Sequence, residues 1–568
     1  MKNISGRMKI GAVAATLLIV LAGCGGAATG KNNKTTKNGN TRAASQVLTL
    51  NYFVGVNGQL AGSLDPAQLT SVEDADTVQL VQAGMVTIGT DNKVQNDLAS
   101  KVKVSANKKV FTFTIRKGAM FSNGDPVTAQ DFVWTLDRAL SKKTASPVAY
   151  YDSLIQGYAA YHAGTSSHLA GVKALNSHTL QITISKAAPY FLKAFSYPNN
   201  NVLDPKVMKG HNSTATNNYL TNNCKANIGA GPFVFVCKGN GGGNGFYKGG
   251  TTPSYTLKPN PKYYGPKATV TLKIPAIKTD ETGYSRYLAG SLDTVAIPTD
   301  HLAQWAKSGS PQYHTSAAAT IDYVSLNTKM APFTNKDCRL AVAYALNRQA
   351  LAHVLHGAVK PDYAIVPQGF DAYFSGHPGV PYFNLGKAKH LAKAGHCGAT
   401  HVTVKYNTGT TDNDNLFSAI VAMMNNAGFK AKVDPITVND WITVVSSPMS
   451  KTNTQATRNG WQQDYPDPQD FISLLFRCGN SYDIGQWCNT QFEHLVDKAD
   501  VNFNNMQRIQ QYVQAEKIAL NNGIPVMVDQ GVHHDLIKTY VHGLIPSVAY
   551  FDLKPKNLDW SKVYISKH

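Results

Sequence analysis

Phe111-Thr-Phe-Thr-Ile-Arg-Lys-Gly-Ala-Met-Phe-Ser-Asn-Gly-Asp-Pro-Val-Thr-Ala-Gln-Asp-Phe-Val-Trp-Thr-Leu-Asp-Arg-Ala-Leu140 is the stretch of this 568-residue chain from which the fold is read. Val110 to Arg116 alternates apolar and polar residues, as a half-buried strand requires. Lys117-Gly118 ends it, and Phe121 to Val127 supplies a turn built on Asn, Gly, Asp and Pro. Thr128 stands three residues before Asp131, the spacing of a capping box. The helix opened there carries Phe132, Val133, Leu136 and Leu140.

Working outward, Gln46 to Val54 is rich in β-formers and reads as a strand, and Ser63-Leu64-Asp65-Pro66 reads as a turn. Thr70 to Leu80 passes from an extended segment into a helix. Downstream, the Val342, Ala345, Leu346 stripe is helix packing. Leu385 to Gly395 is a helix ended by a glycine cap. Leu416 to Asn426 is a helix anchored by Leu416, Ile420, Met423 and Met424, and Asn505 to Asn521 an amphipathic helix resting on Ile509, Tyr512 and Ile518. Ile524-Pro525-Val526-Met527-Val528 is a strand heading back toward the N-terminal part of the chain.

At the N-terminus, Lys2, Arg7 and Lys9 precede the apolar run Ile10 to Leu21, which ends in Leu21-Ala22-Gly23-Cys24. About a dozen apolar residues are too few to cross a bilayer, so residues 1–23 read as an export signal. Small residues before a cysteine resemble the lipobox of bacterial lipoproteins, which implies lipidation at Cys24. Residues 24–45, mostly Gly, Ala, Asn, Thr and Lys, cannot bury enough surface to offset their ordering entropy and read as a tether. The rest is long enough for more than one core. Removing Lys2, Arg7 and Lys9 lowers the net charge of +19 by three, to +16. The lysines and arginines are scattered, and no nucleic-acid-binding signature appears.

Six further cysteines, Cys224, Cys237, Cys338, Cys397, Cys478 and Cys488, are an even number in an exported chain and suggest disulfides, with fifteen connectivities open. Proximity favours Cys224 with Cys237 and Cys478 with Cys488, leaving Cys338 with Cys397.

Gly460-Trp-Gln-Gln-Asp-Tyr-Pro-Asp-Pro-Gln-Asp-Phe471 carries the chemistry. Pro466 and Pro468 lack amide donors, which excludes a helix interior or central strand and predicts a stiff loop. Asp464 lies between Trp461 and Tyr465, where aromatic neighbours exclude water. A carboxylate held there costs several kcal/mol unless a cation or donors compensate. Two readings are open: the cation is a ligand, or Asp464 caps a turn or pairs with an internal Lys or Arg.

The run Phe111 to Leu140 resembles the signature of family 5 extracellular solute-binding proteins, the oligopeptide- and dipeptide-binding lipoproteins of ABC importers. Further matching runs follow in that family's order. They are Gly171-Val-Lys-Ala-Leu175 with Thr179 to Ile184, Ala188-Pro-Tyr-Phe-Leu192, Gly229-Ala-Gly-Pro-Phe233, Leu257 to Gly265, Tyr323 to Met330 and Cys338 to Arg348. The resemblance implies a two-lobed α/β, periplasmic-binding-protein-like fold (class II, cluster C) that closes over a ligand. It places lobe I at 46–310 with an inserted subdomain at about 76–204, lobe II at 311–530, and the C-terminal return to lobe I at 531–568. The long signature is then a packing motif. In peptide-binding members the residue matching Asp464 meets the ligand's α-ammonium. Two extended segments hold the peptide backbone, matching Thr70, Ser71 and Val72 on one lobe and Gly460, Trp461 and Gln462 on the other, with Tyr465 beside them. The implied partners are a peptide or other small solute, the permease subunits, and the membrane through the lipid anchor. The implied location is the outer face of the cytoplasmic membrane, as a monomer.

The chain departs from the family pattern between His211 and Gly250, where Gly239 to Gly245 is a glycine-asparagine run without dinucleotide-site spacing. It reads as a surface loop. An enzyme is disfavoured because Gly-x-Ser-x-Gly and His-Glu-x-x-His are both absent. Adjacent His533 and His534 would face opposite ways in a strand, and no metal, cofactor or catalytic residue is expected. Closer rivals keep the fold and bind a nickel chelate, haem, oligosaccharide or opine, or sense peptides without importing them.

Overall fold

The computed structural model describes residues 41–51, 62–211, 218–237, 254–376, 378–544 and 558–568. The expected signal, Cys24, most of the tether, and the glycine run 239–245 lie outside the described residues. The end of the expected tether is a correction. Ala43 donates its N–H to the Ile565 carbonyl at 2.8 Å, and Gln46 Nε2 donates to the carbonyls of Ala43 and Ile565. Arg42, over the Tyr564 ring, forms a bridge with Ser566. These bonds to the C-terminal strand bring residues 42–45 into the fold, although their composition reads as linker.

The quoted stretch folds as its pattern requires. Val110–Ile115 is a strand and Ala129–Leu140 a helix, with both halves of the Thr128/Asp131 capping box formed. The strand lies second in a four-stranded antiparallel sheet with Ala99–Val104, Thr179–Thr183 and Val172–Asn176. Phe111, Phe113 and Ile115 meet Phe132, Leu136 and Leu140 in a core that gathers residues from Leu69 to Val202 and also takes in Tyr465 and Leu474. The signature is therefore a packing motif. Arg138 of the same helix forms a buried, two-pronged ion pair with Asp65, which caps the short helical turn Pro66–Gln68.

A second core joins Leu48 and Leu50 to Phe233, Leu257, Leu272 and Ile274, and to Val541, Trp560, Val563 and Ile565 from the chain's end. Its sheet pairs Val47–Thr49 in parallel with Thr271–Pro275, followed by Ser254–Pro259 and Phe233–Phe235. Residues 541–565 thus share a core with the strand Val47–Thr49.

The largest sheet has seven strands. Its order is Thr294–Ala296, Val526–Ile537, Tyr313–Leu326, Ala456–Gln462, His401–Asn407 and Lys430–Ile436, with Val359–Pro361 on the far edge of Val526–Ile537. Two strands are long. Tyr313–Leu326 and Val526–Ile537 pair from Tyr313↔Leu536 to Ala317↔Val532, lose register, and resume from Ile321↔Gln530 to Val324↔Val526. The near half joins Thr294–Ala296 and the core of Ile277, Tyr287 and Leu302. The far half carries cores on both faces, one around Val324, Val342, Phe417 and Ile420 and the other around Ile321, Phe471, Phe492 and Tyr512. The molecule is accordingly two-lobed, and the chain crosses between lobes along paired strands.

Cys224–Cys237, Cys338–Cys397 and Cys478–Cys488 are bonded, the pairing that proximity favours. The helix Leu385–Ala394 ends at Gly395, but with φ −81°, so a left-handed cap is not the reason for glycine. A Cβ at 395 would stand 2.9 Å from Cys338 Sγ and 3.0 Å from Cys397 Sγ. Close approach of the helix end to this disulfide is what requires the missing side chain.

Cys338–Cys397 closes a separation of 59 residues, against 13 and 10 for the others. On a chain-entropy basis, replacing both of its cysteines by alanine is expected to cost about 4 kcal/mol, against about 3 kcal/mol for either other pair. Denaturant midpoints of the three double variants check this order.

Candidate functional site

The segment quoted from Gly460 to Phe471 is a strand end, a loop and a short helix. The uniform loop expected of it is corrected: Gly460, Trp461 and Gln462 finish Ala456–Gln462, and Pro468 opens the helix Pro468–Phe471. The prolines are where their missing amides cost nothing, one in the connecting loop and one at a helix's first position.

One edge of this strand end has no described strand alongside it. Its other neighbour, His401–Asn407, pairs with it only at Val404↔Ala456 and Lys405↔Thr457. Gln463 N–H donates to the Ala319 carbonyl at 3.0 Å, which fixes the antiparallel alternation against Tyr313–Leu326. Residues 459 and 461 therefore bond inward, and the main-chain groups of Gly460 and Gln462 are directed to the opposite edge. No described strand pairs with that edge beyond Thr457, and Gly460 N–H is taken by the neighbouring Asn459 side chain at 2.9 Å.

Asp464 follows immediately. Its carboxylate accepts a short hydrogen bond from the Tyr151 hydroxyl, and its N–H donates to Asp470 Oδ2 at 2.9 Å. Asp470, with 0% exposure, also accepts from Trp461 Nε1 at 3.3 Å, and its Oδ1 has no partner among the described residues. Burial, and then the Asp470 charge, hold the Asp464 carboxyl well above the usual carboxylate range. Burial does the same to Asp470 against the pull of its amide donors. No described lysine, arginine or histidine forms an ion pair with either acid.

The internal cations go to Asp467 instead. Arg508 grips it with both terminal nitrogens, and Lys193 Nζ bonds it at 3.1 Å and the Pro466 carbonyl at 2.8 Å. Asp467 also caps the helix Pro468–Phe471. Burial would raise its pKa, but Arg508 and Lys193 bring it below the ordinary value. The bland role considered for Asp464, a turn cap paired with internal basic groups, belongs to its neighbour three residues on.

Aromatic rings wall the acid pair. Tyr151 packs on Tyr197 at 4.5 Å and edge-on to Tyr465 at 5.9 Å, and Trp461 meets Tyr482 at 4.8 Å. The Tyr150 and Tyr482 hydroxyls are 2.7 Å apart. Tyr465 is buried, with its hydroxyl on Gln469, and so supports the wall from behind. These rings and Lys193 bring the 69–202 unit against the loop 463–467. Elsewhere, Thr299 Oγ1 donates to Asp412 Oδ2 at 2.7 Å.

Thr70, Ser71 and Val72 are a correction. They do not form an extended segment open to pairing. Ser71 caps the helix Val72–Val81, accepting from Asp74 N–H, and the Thr70 N–H and hydroxyl both donate to Asp74 Oδ2 at 3.0 and 3.1 Å. Asp74 consumes the backbone donor that a ligand strand would need. Val72 does pack, with Trp461, against the core containing Tyr465. Asp470 was readable from the sequence as a third acid within seven residues of a proline-stiffened loop, whereas Tyr151, Tyr482 and Lys193 come from positions no local pattern connects to it.

The fold and this enclosed, acid-lined strand edge define a two-lobed solute-binding protein of the periplasmic-binding type. The chain belongs to the bacterial extracellular solute-binding proteins, family 5, whose middle-region model matches residues 93–483. It is 28% identical over 535 residues to the oligopeptide-binding protein OppA of Bacillus subtilis, covering 89% of this chain and 90% of that one. Its structure is similar to that of OppA of Haemophilus influenzae complexed with RPPGFSPFR, with a TM-score of 0.75 at 22% identity, covering 93% of this chain and 100% of that one. The murein tripeptide binding protein MppA of Escherichia coli gives 0.76 at 22% identity, with the same coverage.

A carboxylate with a raised folded pKa binds more protons folded than unfolded, so stability falls as pH rises above the ordinary value of about 4. Asp152, pushed up to about 7 by burial against the pull of the Asn200 and Asn199 amides, acts in the same sense. The ligand-free protein is expected to melt at a higher temperature at pH 5.5 than at pH 8. Asp470→Asn, whose carbonyl still accepts the same N–H groups, should raise the pH 8 midpoint by about 1 °C per kcal/mol recovered and flatten the profile. Thermal unfolding from pH 5 to 8.5 checks both.

Proposed function

We propose that the protein captures di- and oligopeptides in the cleft between its lobes and delivers them to the permease of an ABC importer. The observation that carries this reading is Asp464, which forms no ion pair among the described residues, placed just after a strand end, Gly460 to Gln462, that no described strand flanks beyond Thr457. A peptide supplies both complements: an extended backbone that adds to the edge, and an α-ammonium that meets the carboxylate. Main-chain bonding gives affinity without fixing side chains. The Trp461, Tyr151 and Tyr482 rings around Asp464 suit a desolvated cation. Two relatives, the Bacillus subtilis OppA and DppE, are named as oligopeptide- and dipeptide-binding proteins.

In this reading the ligand favours the closed state because it touches both sides, Asp464 from one and Tyr151 from the other. The division 46–310, 311–530 and 531–568 with an insert at about 76–204 is proposed with it, supported by one core gathered mainly from 69–202 and a separate one that joins Leu48 and Leu50 to 203–274 and 537–565. The packing suggests an insert beginning nearer Leu69 and a crossing spread over 313–326 and 526–537. The protein would act as a monomer at the outer face of the cytoplasmic membrane, held by lipid on Cys24. Tyr465 supports the Asp464 wall, and Thr70 to Val72 shape the approach without pairing.

Calorimetry with one peptide and its N-acetylated twin tests the reading. Acetylation is expected to weaken binding by at least about thirtyfold, since removing one partner of a buried charge pair costs about 2–5 kcal/mol. Asp464→Ala should erase the difference between the twins. Equal binding of the two by the native protein would remove the ammonium role.

A further inference from the structure

Lys193 stands on the short helix Phe191–Ala194 of the 69–202 unit and reaches the loop that follows Asp464. Its Nζ donates to the Pro466 carbonyl at 2.8 Å and to Asp467 Oδ2 at 3.1 Å, and its side chain is 24% exposed. Asp467 is satisfied without it. Arg508 grips both carboxylate oxygens, and the Gln469 N–H donates to Oδ1 at 3.0 Å. Arg508 and Gln469 belong to the same lobe as Asp467, so the lysine answers no unpaired charge. What it adds is a bond between two units of the molecule.

The 69–202 unit meets that lobe at other points. Tyr190, three residues before Lys193, is buried within the field of Asp500 and Asp467, and the charge of Lys186 also reaches Asp500. Tyr150, from the turn that carries Tyr151, has its hydroxyl 2.7 Å from that of Tyr482, with the rings edge-on at 5.5 Å. Lys193 and Tyr150 thus join the two units at residues 466–467 and at residue 482, besides the Tyr151 bond to Asp464. Both contacts are made between groups of the chain itself.

We propose that Lys193, together with the Tyr150–Tyr482 pair, is a clasp that holds the two units closed and strengthens the binding of every ligand by the same factor. This rests on the peptide reading and on the lobes proposed with it. A contact made in the closed state, with or without ligand, shifts the open–closed equilibrium by a fixed amount. A group that touched the ligand would favour some ligands over others. Asp464 and Lys193 therefore have separate roles: the first meets the ammonium, and the second keeps it enclosed. The clasp forms only after the units meet, so its loss appears in the rate of escape and not in that of encounter.

Stopped-flow binding of trialanine, trileucine and pentaalanine to the native protein and to Lys193→Met tests this. The variant keeps an unbranched stem and loses the charge. Dissociation is expected to quicken by one common factor, about three- to tenfold, for all of these peptides, with association unchanged. Lys193→Arg, which keeps the charge, should return the rates to within about twofold of native. Tyr150→Phe should quicken dissociation of the whole set by a common factor of its own. An unchanged dissociation rate in Lys193→Met, or a factor that differs between the peptides, overturns the clasp. So does slower association, which would make Lys193 part of the ligand's path. If none of the peptides binds, the peptide reading fails by itself, and small-angle scattering of the ligand-free protein decides the clasp. A larger radius of gyration in Lys193→Met than in the native protein supports it, and equal values overturn it.

Discussion

Two carboxylates, Asp464 and Asp470, share one water-poor pocket with no basic group of the described chain to neutralise them. Repulsion and desolvation both oppose this, and the surrounding structure is arranged to hold it in place. Asp470 is fixed by N–H donors from Trp461 and Asp464, and Asp464 by the Tyr151 hydroxyl. The loop between them is kept rigid by prolines and by Asp467, to which Arg508 and Lys193 are committed. Placing the basic residues on Asp467 leaves the other two acids without a described basic partner, which is the feature the proposed ammonium role draws on.

The sheet supplies the other half of the site. Because Tyr313–Leu326 and Val526–Ile537 extend through both lobes, the strand Ala456–Gln462 has a full-length partner on one side only. Its companion His401–Asn407 is parallel and leaves it after Thr457. Such an edge invites pairing and is a hazard on a protein surface. Here Tyr150, Tyr151 and Lys193 of the opposing unit bond Tyr482, Asp464 and the Pro466 carbonyl, beyond the end of that strand.

Much of the fold was legible in the sequence because it depends on short-range signals. The alternation of Val110–Ile115, the Thr128/Asp131 box and the pairing of nearby cysteines each follow from residues close together in the chain. Three features were not legible, for distinct reasons. Thr70 to Val72 look extended until Asp74 captures the Thr70 amide and turns Ser71 into a cap. Residues 42–45 have the composition of a linker yet are held by a strand more than five hundred positions away. The Asp464 site was half visible: the acid and its aromatic neighbours stand in one run, while Tyr151 and Tyr482 arrive from elsewhere through packing.

The core that holds Leu48 and Leu50 also needs Trp560, Val563 and Ile565. A ribosome delivers the first pair about five hundred residues before the second set. Until then the N-terminal half lacks part of its interior, and its folded state cannot be reached in a single step from the growing end.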